Sequence, residues 1–328
     1  MTPARRAWLE MALALATGLA AIWLLHTTLE LFALINATVF VSLAVLALSQ
    51  GLIWGFGGIL CFGQAAFFGL GGYTYAVAAI NFGDTTGAVP LALAVPALAA
   101  ALLGYFMFYG RVSDVYLGVI TLTFTLILFK FANSTAGDQW TIGTAPLGGF
   151  NGIPATPPLN LPGDPMRPLY PEEVFIVAVA ALTVSYLACK LLLLTPFGRI
   201  VVAVRENELR AELLGYDIRL IKLAIFTVGG LFAGLAGILF ANCVFVSPTM
   251  FSLAYSAQVI IWVIVGGLGT LVGPVIGCIL LQLLTTWAGT LPQLNANLLL
   301  GTILVVAVLL LPKGLLPSTT ALLACARR

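Results

Sequence analysis

Charged residues are scarce in this sequence, because Asp, Glu, Lys and Arg make up only 8% of its 328 residues. Soluble domains average about 25% charged residues, so a soluble globular protein is excluded. Hydrophobic residues make up 61% of the chain and the mean hydropathy is +1.10. At roughly 20 residues per span, this length accommodates about ten spans and leaves no room for a separate soluble catalytic domain. The composition therefore predicts a polytopic membrane protein.

Histidine and cysteine are also rare, which limits the chemistry available. His26 is the only histidine, and it falls where the first apolar run ends, a position more typical of a structural than a catalytic histidine. The five cysteines lie singly, without metal-ligand spacing or a disulfide framework. We expect them to serve as small packing residues.

Several catalytic motifs are missing from the sequence. It contains no G-x-x-x-x-G-K-[ST] phosphate loop, no H-E-x-x-H and no G-x-S-x-G. Ionisable residues are almost absent from the apolar runs, whereas enzymes and proton-coupled transporters that work within a membrane need them there. Intramembrane catalysis and proton-coupled transport are therefore both disfavoured.

What charge there is concentrates in residues 195–222, which hold nine of the 26 acidic and basic residues. Each Arg, Lys or Asp at mid-bilayer costs roughly 2.5 to 3.5 kcal/mol, so this segment is expected in water. Thr195 as cap, Pro196 at the first helical position and Gly215 as terminator predict one helix.

Within this predicted helix Glu206 and Arg210 are spaced to form an ion pair, and Val204, Ala211 and Leu214 are expected on one apolar face. Two interpretations remain open at this point. The segment is either a solvated helix between two spans or a helix that docks into a groove on a partner protein.

Glycine clusters interrupt the apolar pattern twice. Residues 55–72 contain seven glycines, and residues 266–274 form a second glycine cluster in the second half of the chain. Close helix packing explains such clusters, and so do broken helices beside a water-filled path. Paired interruptions in the two halves of a transporter indicate a pathway near the midplane.

The longest polar segment, residues 133–171, holds eight of the 17 prolines and cannot be a continuous helix. Its tip, residues 147–154, mixes turn residues with apolar ones. This composition fits either a contact surface or an ordered Pro-rich loop.

Four sequence blocks stand out in their order along the chain: Gly63–Tyr73, Gly148–Ile153, Gly198–Phe226 and Gly266–Pro274. Together they resemble the permease subunits of branched-chain amino-acid ABC importers, and this resemblance covers most of the chain. It implies an all-α polytopic fold of about ten transmembrane helices, some broken or re-entrant, with a cytoplasmic coupling helix.

The resemblance also implies the domain organisation. Residues 1–328 form one transmembrane permease domain, in which residues 133–171 are an external Pro-rich loop and residues 195–222 a cytoplasmic coupling loop. The expected location is the bacterial inner membrane with both termini in the cytoplasm. Counting ten spans from a cytoplasmic start leaves only Lys130 and Arg167 of the 14 basic residues outside, as the positive-inside rule requires.

As a function, the resemblance implies import of branched-chain or other small neutral amino acids. ATP would be hydrolysed by partner subunits, so this chain is expected to be no enzyme and to bind no cofactor, with ATP and Mg held by the partners. The expected partners are a second related permease subunit, two cytoplasmic ABC ATPases, an external substrate-binding protein and the lipid bilayer, but no nucleic acid. Urea or a short amide is an alternative substrate, and a stand-alone passive facilitator is an alternative of another class.

Two sets of site residues follow from the resemblance. The expected contacts for ATPase coupling are Arg205, Glu206, Asn207, Glu208, Arg210, Ala211 and Gly215. The expected residues of the substrate pathway are Phe62, Gln64, Phe67, Phe68, Tyr73, Gly266, Gly267 and Gly269. The aromatic and amide groups of the second set carry no fixed charge, which suits an uncharged or zwitterionic solute.

Overall fold

The computed structural model describes residues 3–137, 139–289, 301–302 and 314–315. Over these residues the protein is a helical bundle, in which eight segments are long and apolar enough to cross a membrane. The predicted all-α membrane fold is confirmed. The last predicted span, residues 298–311, lies outside the described residues except for 301 and 302, as do Lys313, Arg327 and Arg328.

Eleven α-helices make up the described bundle. They are α1 (Pro3–Thr28), α2 (Leu31–Gln50), α3 (Gln64–Phe82), α4 (Thr85–Tyr109), α5 (Asp114–Ser134), α6 (Pro171–Leu194), α7 (Pro196–Glu206), α8 (Glu208–Leu213), α9 (Ile218–Ala241), α10 (Leu253–Gly266) and α11 (Val272–Gly289). A π-helical turn, Gly51–Phe56, extends α2, and short 3-10 turns occur at Gly149–Asn151 and Pro248–Phe251.

The centre of the bundle is the contact of α3 and α4 with α9, and glycine makes it possible. A Cβ on Gly71 of α3 would lie 2.6 Å from the Cα of Gly234 on α9. A Cβ on Gly234 would in turn lie 3.1 Å from the Cβ of Pro96 on α4. Small residues therefore let these three backbones touch, as in other membrane helix pairs.

The first glycine cluster combines both explanations considered for it. Gly69, Gly71 and Gly72 lie within the continuous helix α3, so the expected break is wrong there, and at least Gly71 serves close packing. The real interruption is the non-helical stretch 57–63, between the π-helical turn and α3. We call residues 57–63 the interrupted segment.

The second glycine cluster forms a turn between α10 and α11. The 14 residues of α10 extend about 21 Å, less than the roughly 30 Å of a bilayer core. A Cβ on Gly266 would lie 2.9 Å from the nitrogen of Pro274, so the two helices are tightly apposed. The π-helical turn that precedes the first interruption adjoins the second interruption, because a Cβ on Gly55 would lie 3.1 Å from the Gly269 nitrogen.

The bundle has two distinct ends. The charged end consists of residues 195–222 with the first residues of α5, as an ion pair between Asp114 and Lys222 shows. The opposite end carries a lobe, residues 139–171, with two short antiparallel hairpins. Its strands are β1 (Thr141–Ile142), β2 (Ala145–Pro146), β3 (Asn160–Leu161) and β4 (Asp164–Pro168).

Three asparagines bind the lobe to the helices. Asn81 on α3 accepts from the Thr144 amide at 2.8 Å, and Asn242 after α9 accepts from the Leu159 amide at 2.7 Å. From the lobe, Asn160 accepts from the amide of Thr85, the first residue of α4, at 2.8 Å. The segment is thus an ordered Pro-rich loop.

The apolar residues at the tip of the lobe, residues 147–154, are only partly exposed. Ile153 is fully buried and its amide donates to the Val246 carbonyl at 2.9 Å. Leu147 is also buried, whereas Phe150 is 78% exposed. The expected apolar contact surface therefore shrinks to Phe150, because its neighbours pack against their own chain.

Acid is expected to loosen this lobe through Asp84. Its carboxylate accepts from the Thr86 amide at 2.9 Å and from the Asn160 side chain at 2.8 Å, and these bonds lower its pKa below the ordinary 3.8. Because the folded pKa is the lower one, the stabilisation is present above 3.8 and is lost as the pH falls through the folded value. Cleavage of the lobe by pepsin should therefore accelerate over that window.

Asp84→Asn is the matched control, since asparagine also caps helices but does not titrate in this range. Its cleavage should change less with pH than that of the parent protein. Equal pH dependence in both proteins would contradict the role of Asp84.

Candidate functional site

The charged end is built from two short helices, where the sequence predicts one. Thr195 accepts from the Gly198 amide at 3.3 Å and Pro196 opens α7, as expected. At Asn207 the backbone becomes extended, with φ −162° and ψ 102°, and its side chain accepts from the Arg210 amide at 2.9 Å to cap α8. Asparagine offers the backbone this alternative to a continuing helix. The helix predicted between the Thr195 cap and Gly215 is thus broken at Asn207, and α8 covers only Glu208–Leu213.

The break changes the ion pairs. Glu206 lies against the guanidinium of Arg205, so the expected pair of Glu206 with Arg210 does not form. Glu208 instead pairs with Lys222 on α9 at 2.5 Å, and the same ammonium lies 3.8 Å from Asp114 on α5. Lys222 is only 12% exposed, so it joins α8, α9 and α5 in a partly desolvated setting.

The break also redistributes the apolar side chains. Val204 and Ala211 are buried against the core of their own chain, so the Ala211 side chain is not exposed at the surface. Leu214, expected on the same apolar face, is instead 74% exposed. Leu209 and Leu213 are 67% and 79% exposed. We call these three residues the leucine face.

Sequence reasoning missed Leu209 and Leu213, although their spacing of four was a usable signal. Both belong to a segment that charge had already placed in water, where a large apolar side chain needs an explanation. Gly215 ends the site with φ +88° and open space where a Cβ would lie, so a side chain there is opposed by backbone strain and not by a neighbour.

Arg205, one of the expected coupling residues, turns toward the bundle. Its Nη1 donates to the carbonyl of Gly55 in the π-helical turn. Its stem covers Gly58, where a Cβ would lie 2.8 Å from the Cγ of Arg205. Gly58 has φ +72°, which suits glycine. The charged end therefore contacts the interrupted segment directly.

The predicted pathway residues Gln64, Phe67 and Phe68 lie in the interior of the subunit. Gln64 donates to the Ser49 hydroxyl at 2.7 Å and to the Gly229 carbonyl at 3.4 Å. Both phenylalanines are fully buried, and Phe67 stands edge-on to Phe226 with ring centroids 5.6 Å apart. Their contact with a substrate stays a prediction.

The other pathway candidates are more accessible or shape the backbone. Phe62 is half-buried and its amide donates to the Thr121 hydroxyl of α5 at 3.2 Å. Tyr73 is half-buried, and its hydroxyl has no hydrogen-bond partner among the described residues. Gly266 and Gly267 are buried, whereas Gly269 is exposed at the turn after α10.

Ser49 and Gln50 complete a buried polar group that the sequence analysis did not single out. Gln50 is fully buried and donates to the carbonyl of Cys61 at 2.9 Å. Ser49 receives the hydrogen bond from Gln64. The sequence signal that could have identified them is that two adjacent polar residues end an otherwise apolar span. These bonds hold the carboxyl-terminal end of the interrupted segment within the bundle.

Sequence comparison gives relatives for most of the chain. Residues 32–309 match the family described as branched-chain amino acid transport system / permease component. The chain is 31% identical over 307 residues to the high-affinity branched-chain amino acid transport system permease protein LivM of Escherichia coli K12, which covers 86% of this chain and 69% of LivM.

Relatives of lower identity include permeases named for a different substrate. The chain is 28% identical over 264 residues to the ribose import permease protein RbsC of Escherichia coli K12, covering 76% of this chain and 73% of RbsC. It is 26% identical over 233 residues to a probable LivM of Methanocaldococcus jannaschii, covering 60% and 63%. The search of solved structures gave no match. The chain therefore belongs to the family of permease components of branched-chain amino acid transport systems.

Proposed function

We propose that this chain is the membrane permease subunit of an ATP-driven importer of branched-chain amino acids. It pairs with a second, related permease subunit, two cytoplasmic ABC ATPases and an external substrate-binding protein. The observation that carries the proposal is the leucine face, three large apolar side chains exposed on the most charged segment of a membrane permease.

The leucine face has the character of a docking site. Burying each leucine in a partner groove is worth about 1.5 to 3 kcal/mol, and a helical anchor pair four residues apart fits a groove on another protein. Glu206, Arg210 and Glu212 are exposed around it and supply a polar rim. The chain has no nucleotide-binding loop, so motion driven by ATP must reach it through such a surface.

The substrate proposal rests on the relatives and on the uncharged character of the pathway candidates. LivM is named for branched-chain amino acids and covers the larger share of this chain, whereas RbsC is named for ribose. A zwitterion needs no fixed countercharge in the pathway, because its own charges balance. Leucine, isoleucine and valine are therefore the first substrates to test.

Reconstitution tests the function. Proteoliposomes containing this chain, the second permease and both ATPases should take up leucine only when ATP is inside and the binding protein is outside. The binding protein should bind leucine in preference to urea or ribose. Uptake without ATPases would instead establish a passive facilitator, and binding of urea or ribose without leucine would reassign the substrate.

The proposed orientation places the charged end in the cytoplasm, with both termini on that side of the bacterial inner membrane. Met166, which is 91% exposed on the lobe, and Glu212, exposed on α8, are suitable labelling sites. In a background without native cysteines, an impermeant thiol reagent added outside should label Met166→Cys but not Glu212→Cys. Permeabilised cells should label both, and outside labelling of Glu212→Cys would invert the topology.

A further inference from the structure

Arg205 reaches from the charged end into the bundle, although it belongs to the segment proposed to meet the ATPase. Its side chain is 31% exposed, and the guanidinium is shared between the Gly55 carbonyl and Glu206. The Gly55 carbonyl lies in the last turn of the π-helical extension, where a helix leaves acceptors without internal partners. A cation is favoured there because helix carbonyl dipoles point toward it.

The interrupted segment that follows Gly55 touches several elements of the bundle. Gln50 of α2 donates to Cys61, and Thr121 of α5 accepts from Phe62. Gly55 itself adjoins Gly269 in the turn after α10. The segment ends deep in the bundle, because Gln64 reaches Gly229, about 16 Å along α9 from Ile218. A joint shift of Gly55 and this segment therefore changes contacts at the second interruption and at α5 together.

The interrupted segment is suited to switching between two packing arrangements. It lacks the continuous hydrogen-bond ladder of a helix, and single side-chain hydrogen bonds join it to neighbouring elements. Gln50 donates to the Cys61 carbonyl and the Phe62 amide donates to Thr121. Arg205 donates to Gly55, just before the segment. Interrupted backbone at membrane depth is characteristic of transporters at the place where the pathway opens. Conformational switching uses discrete elements with alternative packing of this kind.

We propose that Arg205 is the positioning residue that couples movement of α7 and α8 to the interrupted segment. This inference rests on the proposed function. When the leucine face moves with its partner, the guanidinium carries that displacement to the Gly55 carbonyl. Gly55 then shifts against Gly269, and the interrupted segment that follows it shifts against Thr121. Arginine fits this role because its rigid fork bonds the carbonyl and Glu206 at once, whereas a lysine ammonium is a single point on a flexible stem.

The test uses the complete transporter in proteoliposomes and compares Arg205→Gln, Arg205→Lys and Arg199→Gln. Arg199 is exposed on the same helix, so its variant matches the charge change without touching the interrupted segment. Arg205→Gln should still copurify with the ATPases and hydrolyse ATP, while leucine uptake per ATP falls by about tenfold or more. Arg205→Lys should be intermediate, and Arg199→Gln should resemble the parent.

The outcomes separate this inference from the proposed function. Parental uptake per ATP in Arg205→Gln overturns the coupling role. Loss of ATPase copurification also overturns it, because Arg205 would then belong to the docking surface, and the proposed function would stand. ATP-independent uptake by the parent protein would instead overturn the proposed function.

A second variant keeps the test decisive if Arg205→Gln does not fold. Glu206→Gln changes an exposed residue and weakens only the second anchor of the guanidinium, leaving the Gly55 bond available. It should lower uptake per ATP less than Arg205→Gln, with normal membrane levels. Unchanged uptake per ATP in this variant would count against the coupling role.

Discussion

Replacing Gly71 by alanine is expected to reduce the amount of folded protein in the membrane severely. The added Cβ would lie 2.6 Å from the Cα of Gly234 and would also meet its carbonyl. Overpacking usually costs about 1 to 3 kcal/mol, and here the obstructing atoms are backbone, which cannot rotate away. The helices α3 and α9 must separate, so the thermal midpoint of the detergent-solubilised protein should drop well below that of the parent.

Gly87→Ala is the matched control for that prediction. Gly87 also lies in a helix, but its Cβ would sit 3.5 Å from the ring of Phe82, an ordinary contact distance. Alanine favours a helix over glycine by up to about 1 kcal/mol, so this variant should be as stable as the parent or more so. Equal thermal midpoints for the two variants would show that α3 and α9 tolerate separation.

Replacing Leu209 and Leu213 together by serine is expected to abolish stable association with the ATPases. Each leucine buried in a groove contributes about 1.5 to 3 kcal/mol, so losing two should weaken binding by about a hundredfold or more. The fold should survive, because both side chains are exposed and the Asn207 cap and the Glu208 pair with Lys222 remain. Copurification and the concentration dependence of ATPase binding measure the effect.

Leu161→Ser makes the same chemical change at the opposite end of the bundle, where Leu161 is 40% exposed. It should leave ATPase binding unchanged. Parental binding by the double variant would place the docking surface elsewhere and leave the leucine face without a role. Ala211→Glu is a poorer probe, because it would bury a charge within the chain itself and confuse folding with docking.

Much of this fold was predictable from composition and local chemistry. The apolar runs identified the spans, because a bilayer tolerates few charges, and the Thr195 cap and Pro196 located the start of α7. Charge density placed residues 195–222 at one end of the bundle. These features depend on a residue and its near neighbours, which sequence patterns report well.

The details of the candidate site depend on contacts between residues that are distant in sequence, so local sequence patterns did not predict them. The glycines of 57–63 and of 69–72 give one compositional signal, but only the first group borders a break in the helix. The direction of Arg205 depends on Gly55, which is far away in sequence. The break at Asn207 was within reach of sequence reasoning, since asparagine is a strong cap, but helical spacing across 204–214 obscured it.

The three asparagine anchors of the lobe have a kinetic consequence. Because α3, α4 and α9 hold the lobe at Asn81, Asn160 and Asn242, its surface is in place before any partner arrives. Docking of the proposed external binding protein on this lobe would therefore cost little ordering entropy, and we expect its association rate to reflect collision and charge instead of loop closure. The same anchors make the lobe move with α3, α4 and α9. A change in the tilt of these helices would then alter how long the proposed binding protein stays docked.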